Sequence, residues 1–137
     1  MGISERIALS TPWKNTNDGH MKISEIRDIL KAKVLVGEDQ LDSSVVAGGG
    51  ADLMADVLSA VAKGAVLLTG LTTEQVLRTA RVAGVAAVVF VRGKKPDEPV
   101  LDLARSYNMP VLLTSYSLFV ASGRLYMNGL RGLDGSW

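Results

Sequence analysis

The sequence contains no cysteine and few aromatic residues, and both shortages limit what the protein can be. Without cysteine the chain has no disulfide, no thiolate nucleophile and no cysteine-ligated zinc. Aromatic residues make up only 5% of the 137 residues, whereas 47% are hydrophobic, so the core must consist of Val, Leu, Ala and Met. The length is that of one domain, and it is sufficient to bury a sizeable core.

The chain also has no large excess of positive or negative charge, because its formal net charge is +1. Such a balance creates no electrostatic field that would attract nucleic acid or an anionic membrane surface. No apolar run approaches the roughly 20 residues that span a bilayer. The first residues lack the apolar segment of a signal peptide. We therefore expect a cytoplasmic protein that has neither a nucleic-acid nor a membrane partner.

The chain has a single histidine, His20, at the end of a polar, turn-rich stretch covering residues 1–20. Gly-His-Met at this point is typical of a cloning junction, so the stretch is either native sequence or a remnant of cloning. In both cases we exclude it from the fold, which removes histidine as a general base or metal ligand. We expect no catalytic constellation, no metal site, no cofactor and no enzyme activity. The predicted division is a tail over 1–20, one domain over 21–132 and a C-terminal tail over 133–137.

The most informative segment is the uninterrupted apolar run Ala86–Val91, which is typical of a strand buried on both faces. Further apolar segments recur at intervals of about 20 to 25 residues, and each is followed by a helical pattern, as in βα units. These features predict an α/β fold, a single three-layer domain with a mainly parallel sheet of about four strands flanked by helices. The predicted strands are Ser44–Ala47, Ala65–Thr69, Ala86–Val91 and Val111–Thr114.

Several local features are also predicted from residue type. Val34–Gly37 indicates a further short strand, and Asp52 is expected in the first turn of a helix, where a carboxylate is stabilised. Thr72 followed by Gln75 has the spacing of a capping box. Ser115 is expected to cap the last helix.

The basic loop Arg92-Gly93-Lys94-Lys95 is the strongest candidate for binding an anion, because it follows the most apolar strand. Ligands of open α/β sheets bind at the carboxyl ends of the strands. Gly93 is expected to offer backbone N–H groups, while Arg92 offers a planar, bidentate fork. The alternative is a solvated loop in which Arg92 pairs with an internal carboxylate, Asp52 or Asp56. The sequence leaves both interpretations open.

Other residues are weaker candidates. Gly48-Gly49-Gly50 before a helix is compatible with a phosphate-binding loop, but a tight turn is the favoured interpretation. Asp52 and Asp56 have the spacing of a shared metal site, but solvated helix-face acids are commoner. The hydroxyl residues at the strand ends are individually typical of turns and caps. The complete set of ligand-binding candidates is Gly48, Gly49, Gly50, Asp52, Thr69, Gly70, Thr72, Arg92, Gly93, Lys94, Thr114 and Ser115.

Four spaced segments together resemble the DRTGG domain family. They are Asp52–Leu58, Leu68–Thr72, Val89–Lys94 and Leu112–Thr114, and the resemblance covers roughly Met21 to Gly132. The part from Val91 to Thr114 is also similar to the N-terminal domain of HPr kinase/phosphorylase, without its catalytic half. The resemblance implies a regulatory or ligand-sensing module, since such domains occur alone or fused to CBS domains and phosphate acetyltransferases. The Asp-Arg-Thr-Gly-Gly motif that names the family is absent from this chain.

Two functions therefore follow as expectations. The first is a non-catalytic regulatory domain that binds an anionic metabolite or nucleotide at the carboxyl edge of the sheet. The second is an interaction or oligomerisation module without a small ligand, acting on itself or on a partner enzyme. The runs Leu118-Phe119-Val120 and Leu125-Tyr126-Met127 exceed what one helix face can bury, so we predict a homodimer.

Overall fold

The computed structural model describes residues 20–60 and 63–132. Except for His20, the two predicted tails lie outside these ranges, and the division into domain and tails stays a prediction. A short 3-10 helix, Glu38–Gln40, follows the second strand. The other elements are β1 (Met21–Lys22), α1 (Ile23–Leu30), β2 (Lys33–Val36), β3 (Ser44–Val45), β4 (Gly48–Gly50), α2 (Met54–Ala60), β5 (Val66–Thr69), α3 (Glu74–Ala83), β6 (Ala87–Phe90), α4 (Glu98–Ser106), β7 (Val111–Leu113) and α5 (Leu118–Met127).

The main sheet has the strand order β2-β7-β6-β5-β4. Strands β4, β5, β6 and β7 are parallel, and β2 joins the edge antiparallel to β7. Helices α1 and α5 contribute to one core cluster, whereas α2, α3 and α4 contribute to the other. The predicted three-layer α/β fold with a mainly parallel sheet is therefore confirmed.

The centre of the sheet is buried on both faces, as the apolar runs predict. Every residue of β5 and β6 is buried. Along β6, Val88 and Phe90 pack into one core cluster, and Ala87 and Val89 pack into the other. Since successive side chains of a strand point to opposite faces, an unbroken apolar run places hydrophobic groups in both layers. The strand predictions over β5, β6 and β7 are correct to within one residue at each end.

The prediction for the first strand of the sheet is wrong. Ser44–Val45 pairs antiparallel with Met21–Lys22 in a separate two-stranded sheet. The parallel edge strand is instead Gly48–Gly50, which the sequence favours as a turn. Glycine is a poor strand former, but here two leucine side chains pack closely against the backbone. A Cβ on Gly48 would lie 2.9 Å from Leu130 Cδ2, and one on Gly50 would lie 3.0 Å from Leu118 Cδ1.

Two predicted helix caps are also displaced along the chain. Helix α3 begins at Glu74 with Thr73 as its N-cap, and this cap makes no side-chain hydrogen bond, so the capping box at Thr72 is wrong. Helix α5 is capped by Ser117, whose hydroxyl accepts from the Val120 amide at 3.2 Å. Ser115 is not the cap, because the Tyr116 amide donates to the Thr114 hydroxyl and forms a turn before the helix starts. In the described ranges no helix is long and apolar enough to cross a membrane.

Candidate functional site

The exit loops of β6 and β7 are hydrogen-bonded to each other at the carboxyl edge of the sheet. The Arg92 amide donates to the Tyr116 carbonyl at 2.7 Å, and the Gly93 amide donates to the Thr114 carbonyl at 2.8 Å. The predicted convergence of these loops is therefore observed. The prediction that Gly93 exposes a free N–H is wrong, because Thr114 uses that donor.

Arg92 has an unusual backbone conformation for its residue type. Its φ is +63°, and that of Gly93 is +68°. The Lys94 amide donates to the Val91 carbonyl at 3.4 Å, so Arg92 and Gly93 are the two central residues of a turn with left-handed conformation at both positions. For a residue with a Cβ this conformation costs about 1–2 kcal/mol. Arginine is thus held at a position that glycine or asparagine would occupy with less strain.

The Arg92 side chain extends across Gly70 at the end of β5. A Cβ added to Gly70 would lie 2.6 Å from Arg92 Nη2 and 3.6 Å from Asp52 Oδ1. A side chain at this position would displace the guanidinium from where it lies. Arg92 is nevertheless exposed, and none of the ion pairs between described residues includes it. The ion pair with Asp52 or Asp56 that the alternative interpretation includes is therefore absent from the described residues, whereas the solvent-exposed loop of that interpretation is observed.

Asp52 joins the loop after β4 to the end of β5. Its Oδ1 accepts from the Thr69 hydroxyl at 3.0 Å and from the Gly70 amide at 2.8 Å. The Thr69 hydroxyl in turn accepts from the Leu71 amide at 3.2 Å. The expectation of Asp52 in the first helical turn is wrong, because α2 begins at Met54.

The structure therefore does not support a metal site shared by Asp52 and Asp56 on one helix. Asp52 precedes the helix, so it does not share a helical face with Asp56 at the i, i+4 spacing. Within residues 20–60 and 63–132, no three acidic or histidine side chains are grouped as metal ligands.

Two of the candidate hydroxyl groups, those of Thr69 and Thr114, already form hydrogen bonds within the fold, and the others form none within residues 20–60 and 63–132. The buried Thr114 hydroxyl donates to the Leu30 carbonyl at 2.8 Å, which fixes β7 to the end of α1. Thr69 and Thr114 therefore hold the fold together. Lys94 and Ser115 are exposed and Thr72 is half-buried, and the side chains of these three have no hydrogen-bond partner among the described residues. The cationic groups available at this edge are Arg92, Lys94 and the exposed Lys95.

The three glycines of β4 belong to a different place. They line a cavity of about 160 Å³ between the edge strand and α5, away from the Arg92 loop. Sequence reasoning missed the side chains around it, because Gly48 and Arg131 are far apart in the chain and no local pattern joins them. The lining consists of Gly48, Gly49, Gly50, Leu68, Ser122, Leu125, Tyr126, Leu130, Arg131 and Gly132.

Comparisons with known proteins agree with this architecture. A family model described as the DRTGG domain matches residues 25–127. Among solved structures, the chain is similar to the CBS and DRTGG domains of the regulatory region of Clostridium perfringens pyrophosphatase, which was crystallised with its activator, diadenosine tetraphosphate. The identity is 15% and the TM-score 0.65, and the match covers 93% of this chain and 55% of the other. The chain thus spans about half of that region, and at this identity the likeness shows the fold. No curated protein sequence matches the chain.

Proposed function

This chain belongs to the DRTGG domain family, and on that premise we propose that it is a non-catalytic regulatory domain whose carboxyl sheet edge binds a small anionic ligand. Arg92 and Lys94 are the binding residues, and a regulated enzyme is the expected partner. The observation that carries the proposal is the conformation of Arg92, a non-glycine residue with φ +63° and an exposed guanidinium. Backbone strain of this kind is found most often at ligand sites and switch regions.

The ligand contacts at this edge come from side chains and not from the backbone. The amides of Gly70, Arg92 and Gly93 already donate to protein oxygens. The planar guanidinium provides two parallel donors for a phosphate or carboxylate, and Lys94 adds a second positive charge. A charged hydrogen bond of this kind contributes about 1.5–3 kcal/mol, which corresponds to a tenfold to hundredfold change in affinity.

Asp52 narrows the class of anion. Both of its hydrogen bonds to described residues use Oδ1, which leaves Oδ2 available as an acceptor. A simple inorganic anion would be repelled by this carboxylate. An anion that also carries hydroxyl groups, such as a sugar phosphate or a nucleotide, satisfies both the cation and the acceptor.

Nucleotides are the first ligands to test. The pyrophosphatase region with a similar fold has diadenosine tetraphosphate as its activator. This chain corresponds to about half of that region, so the ligand class is carried over as part of the proposal.

A thermal-shift screen against nucleotides, sugar phosphates and acyl phosphates tests the proposal. A ligand of the native state raises the melting temperature according to its concentration relative to Kd. Arg92→Ala is expected to weaken the hit tenfold to hundredfold, and Arg92→Lys to recover only part of the affinity, because an ammonium lacks the planar fork. Arg78→Ala is the matched control, since Arg78 is an exposed arginine paired with Glu74 on α3. Equal binding by the Arg92→Ala variant and the wild type would contradict the proposal.

A second candidate function is self-association through α5. The outward side of this helix carries Phe119, Val120, Tyr126 and Met127, and Phe119 is 88% exposed. Leu125 is buried and Leu118 is partly buried on the inward side, so the two apolar runs divide between core and surface. We propose that a second copy of this chain covers the outward side, because apolar surface of this kind marks an interface. Absence of any ligand in the screen would favour this module over the first function.

A further inference from the structure

We propose that the cavity beside β4 is a separate binding site for a purine nucleotide, with the base on the edge of β4 and the phosphate on Arg131. This site lies beyond the anion site at the Arg92 edge and shares no residue with it. The inference rests on the hydrogen-bonding groups of an edge strand, on the cavity next to them and on a cation at its rim that forms no ion pair with the part of the chain that the structure describes.

The edge strand directs the backbone groups of two residues, Gly48 and Gly50, away from the sheet. The Val66 amide donates to the Ala47 carbonyl, and the Ala51 amide donates to the Leu68 carbonyl, so odd-numbered residues pair with β5. Gly48 and Gly50 therefore direct their backbone groups outward, since the pairing side alternates along a strand. The outward Gly48 amide donates to the Arg131 carbonyl at 3.0 Å. The Gly48 carbonyl and the Gly50 amide have no partner among the described residues.

These two groups have the spacing that an adenine edge requires. A neighbour that pairs with a parallel strand donates to the carbonyl of residue i and accepts from the amide of residue i+2. Adenine carries an amino donor directly beside a ring-nitrogen acceptor. It can therefore donate to Gly48 and accept from Gly50, and the missing side chains of the glycines let the ring approach the backbone.

The cavity next to the strand suits a flat aromatic group. Leu68, Leu125 and Leu130 provide apolar walls, and Tyr126 adds an aromatic ring. Its volume of about 160 Å³ compares with a 150 Å³ apolar cavity that accommodates benzene. A purine base fits with one edge toward solvent, whereas pockets for drug-sized ligands begin at about 300 Å³.

Arg131 supplies a fixed positive charge at the rim. Its guanidinium lies 4.0 Å from the centroid of the Tyr126 ring, and Nη1 donates to the Tyr126 carbonyl at 2.7 Å and to the Leu130 carbonyl at 3.2 Å. Nε and Nη2 have no partner among the described residues, and no ion pair there includes Arg131. A cation that is held in place and has no counter-ion within residues 20–60 and 63–132 favours a ligand that places an anionic group outside the cavity.

A peptide strand is a poorer occupant of this edge. Strand addition depends on a ladder of several main-chain hydrogen bonds. Here the strand has only three residues, and Arg131 already occupies the outward amide of Gly48. The Gly48 carbonyl and the Gly50 amide suffice for a base, whereas a strand of three residues is too short for a ladder.

Calorimetric titration of the full chain with adenosine 5′-monophosphate tests the site, with adenosine and ribose 5-phosphate as truncated probes. We expect the monophosphate to bind at least tenfold more tightly than either fragment. Gly50→Pro adds a Cβ and removes the amide donor. Gly50→Ala also adds a Cβ but retains the amide N–H, so it is the matched control. Proline is tolerated where the N–H of an edge strand faces outward. The proline variant should therefore lose about tenfold more affinity than the alanine variant.

A second pair of variants tests the phosphate contact. Arg131→Ala should weaken the monophosphate about tenfold or more and leave adenosine unchanged. Arg81→Ala is the control, because Arg81 also lies over a ring, 4.4 Å from the Tyr107 centroid, on another helix. Equal binding of ribose 5-phosphate and the monophosphate, or equal losses in the two Gly50 variants, would overturn the site. If Arg92→Ala abolishes binding and Arg131→Ala does not, this inference is wrong and the Arg92 edge is the nucleotide site.

Discussion

The Asp52 carboxylate accepts a 2.8 Å hydrogen bond from the Gly70 amide, across 18 residues of chain. The same oxygen accepts from the Thr69 hydroxyl at 3.0 Å. This one side chain fixes the loop after β4 to the end of β5, next to the Arg92 guanidinium. The geometry of the candidate anion site therefore depends on the two hydrogen bonds that Asp52 Oδ1 accepts.

Replacing Asp52 should destabilise the fold. Asp52→Ala leaves the Thr69 hydroxyl and the Gly70 amide without their acceptor, at a cost of about 1–3 kcal/mol. Asp52→Asn retains an acceptor oxygen and should cost less. Urea unfolding followed by circular dichroism measures both values. Asp102→Ala is the control, because its ion pair with Arg105 is exposed and should change stability by less than about 0.5 kcal/mol. Equal values for Asp52→Ala and Asp102→Ala would show that the Asp52 contact is energetically unimportant.

Arg92→Gly should be more stable than Arg92→Ala. Glycine adopts a φ of +63° without steric cost, whereas alanine keeps the left-handed strain of about 1–2 kcal/mol. The greater freedom of glycine in the unfolded state offsets about 0.4–1 kcal/mol of this difference. We expect a net difference of roughly 0.5–1 kcal/mol in urea unfolding. A less stable glycine variant would contradict the turn conformation described here.

Gly123→Ala should stabilise the protein. Gly123 lies inside α5, and a Cβ built there meets no atom within 4 Å. Alanine in an exposed helix interior is favoured over glycine by about 0.5–1 kcal/mol. Thermal unfolding in dilute solution measures the effect. Gly37→Ala is the opposite case, because Gly37 has φ +93° and its Cβ would lie 2.9 Å from Pro110 Cα. If Gly37→Ala also raised the melting temperature, the positive φ and the close contact at Gly37 would not destabilise the variant.

Phe119→Asp should dissociate the proposed homodimer and leave the fold intact. Phe119 is exposed on α5, so a carboxylate there meets solvent in the monomer but enters an apolar surface in the dimer. Sedimentation velocity at micromolar concentration distinguishes the two species. Val82→Asp is the matched control, since Val82 is 78% exposed on α3, away from this surface. A wild-type monomer under these conditions would remove the second candidate function.

The strands that the sequence predicts correctly are those whose side chains form an uninterrupted hydrophobic run. Val66, Leu67 and Leu68 are all buried, so both faces of β5 are hydrophobic in the sequence as well. Strand β4 carries no such signal, because three glycines have no side chains to show a pattern. Its identity depends on how closely α5 and Leu130 approach the backbone, and that is a tertiary contact.

The candidate anion site shows the same limit. Topology alone predicts that Arg92 lies beside the loops of Gly70 and Thr114, because parallel strands end at one edge. The sign of φ at Arg92 and the use of the Gly93 amide by Thr114 follow from loop geometry that residue type does not determine. No local sequence pattern predicts the role of Arg131, because the residue that it contacts, Gly48, lies far away in the chain.

The two ends of the described segment are connected through β3 and β4 by a short path of backbone hydrogen bonds. Met21 pairs with Val45, and three residues later the Gly48 amide binds the Arg131 carbonyl. These links place Met21 and Arg131 within about 20 Å of each other. Arg131 and Gly132 line the β4 cavity, so a ligand bound there would contact the last described residues of the chain and could transmit its binding directly to them.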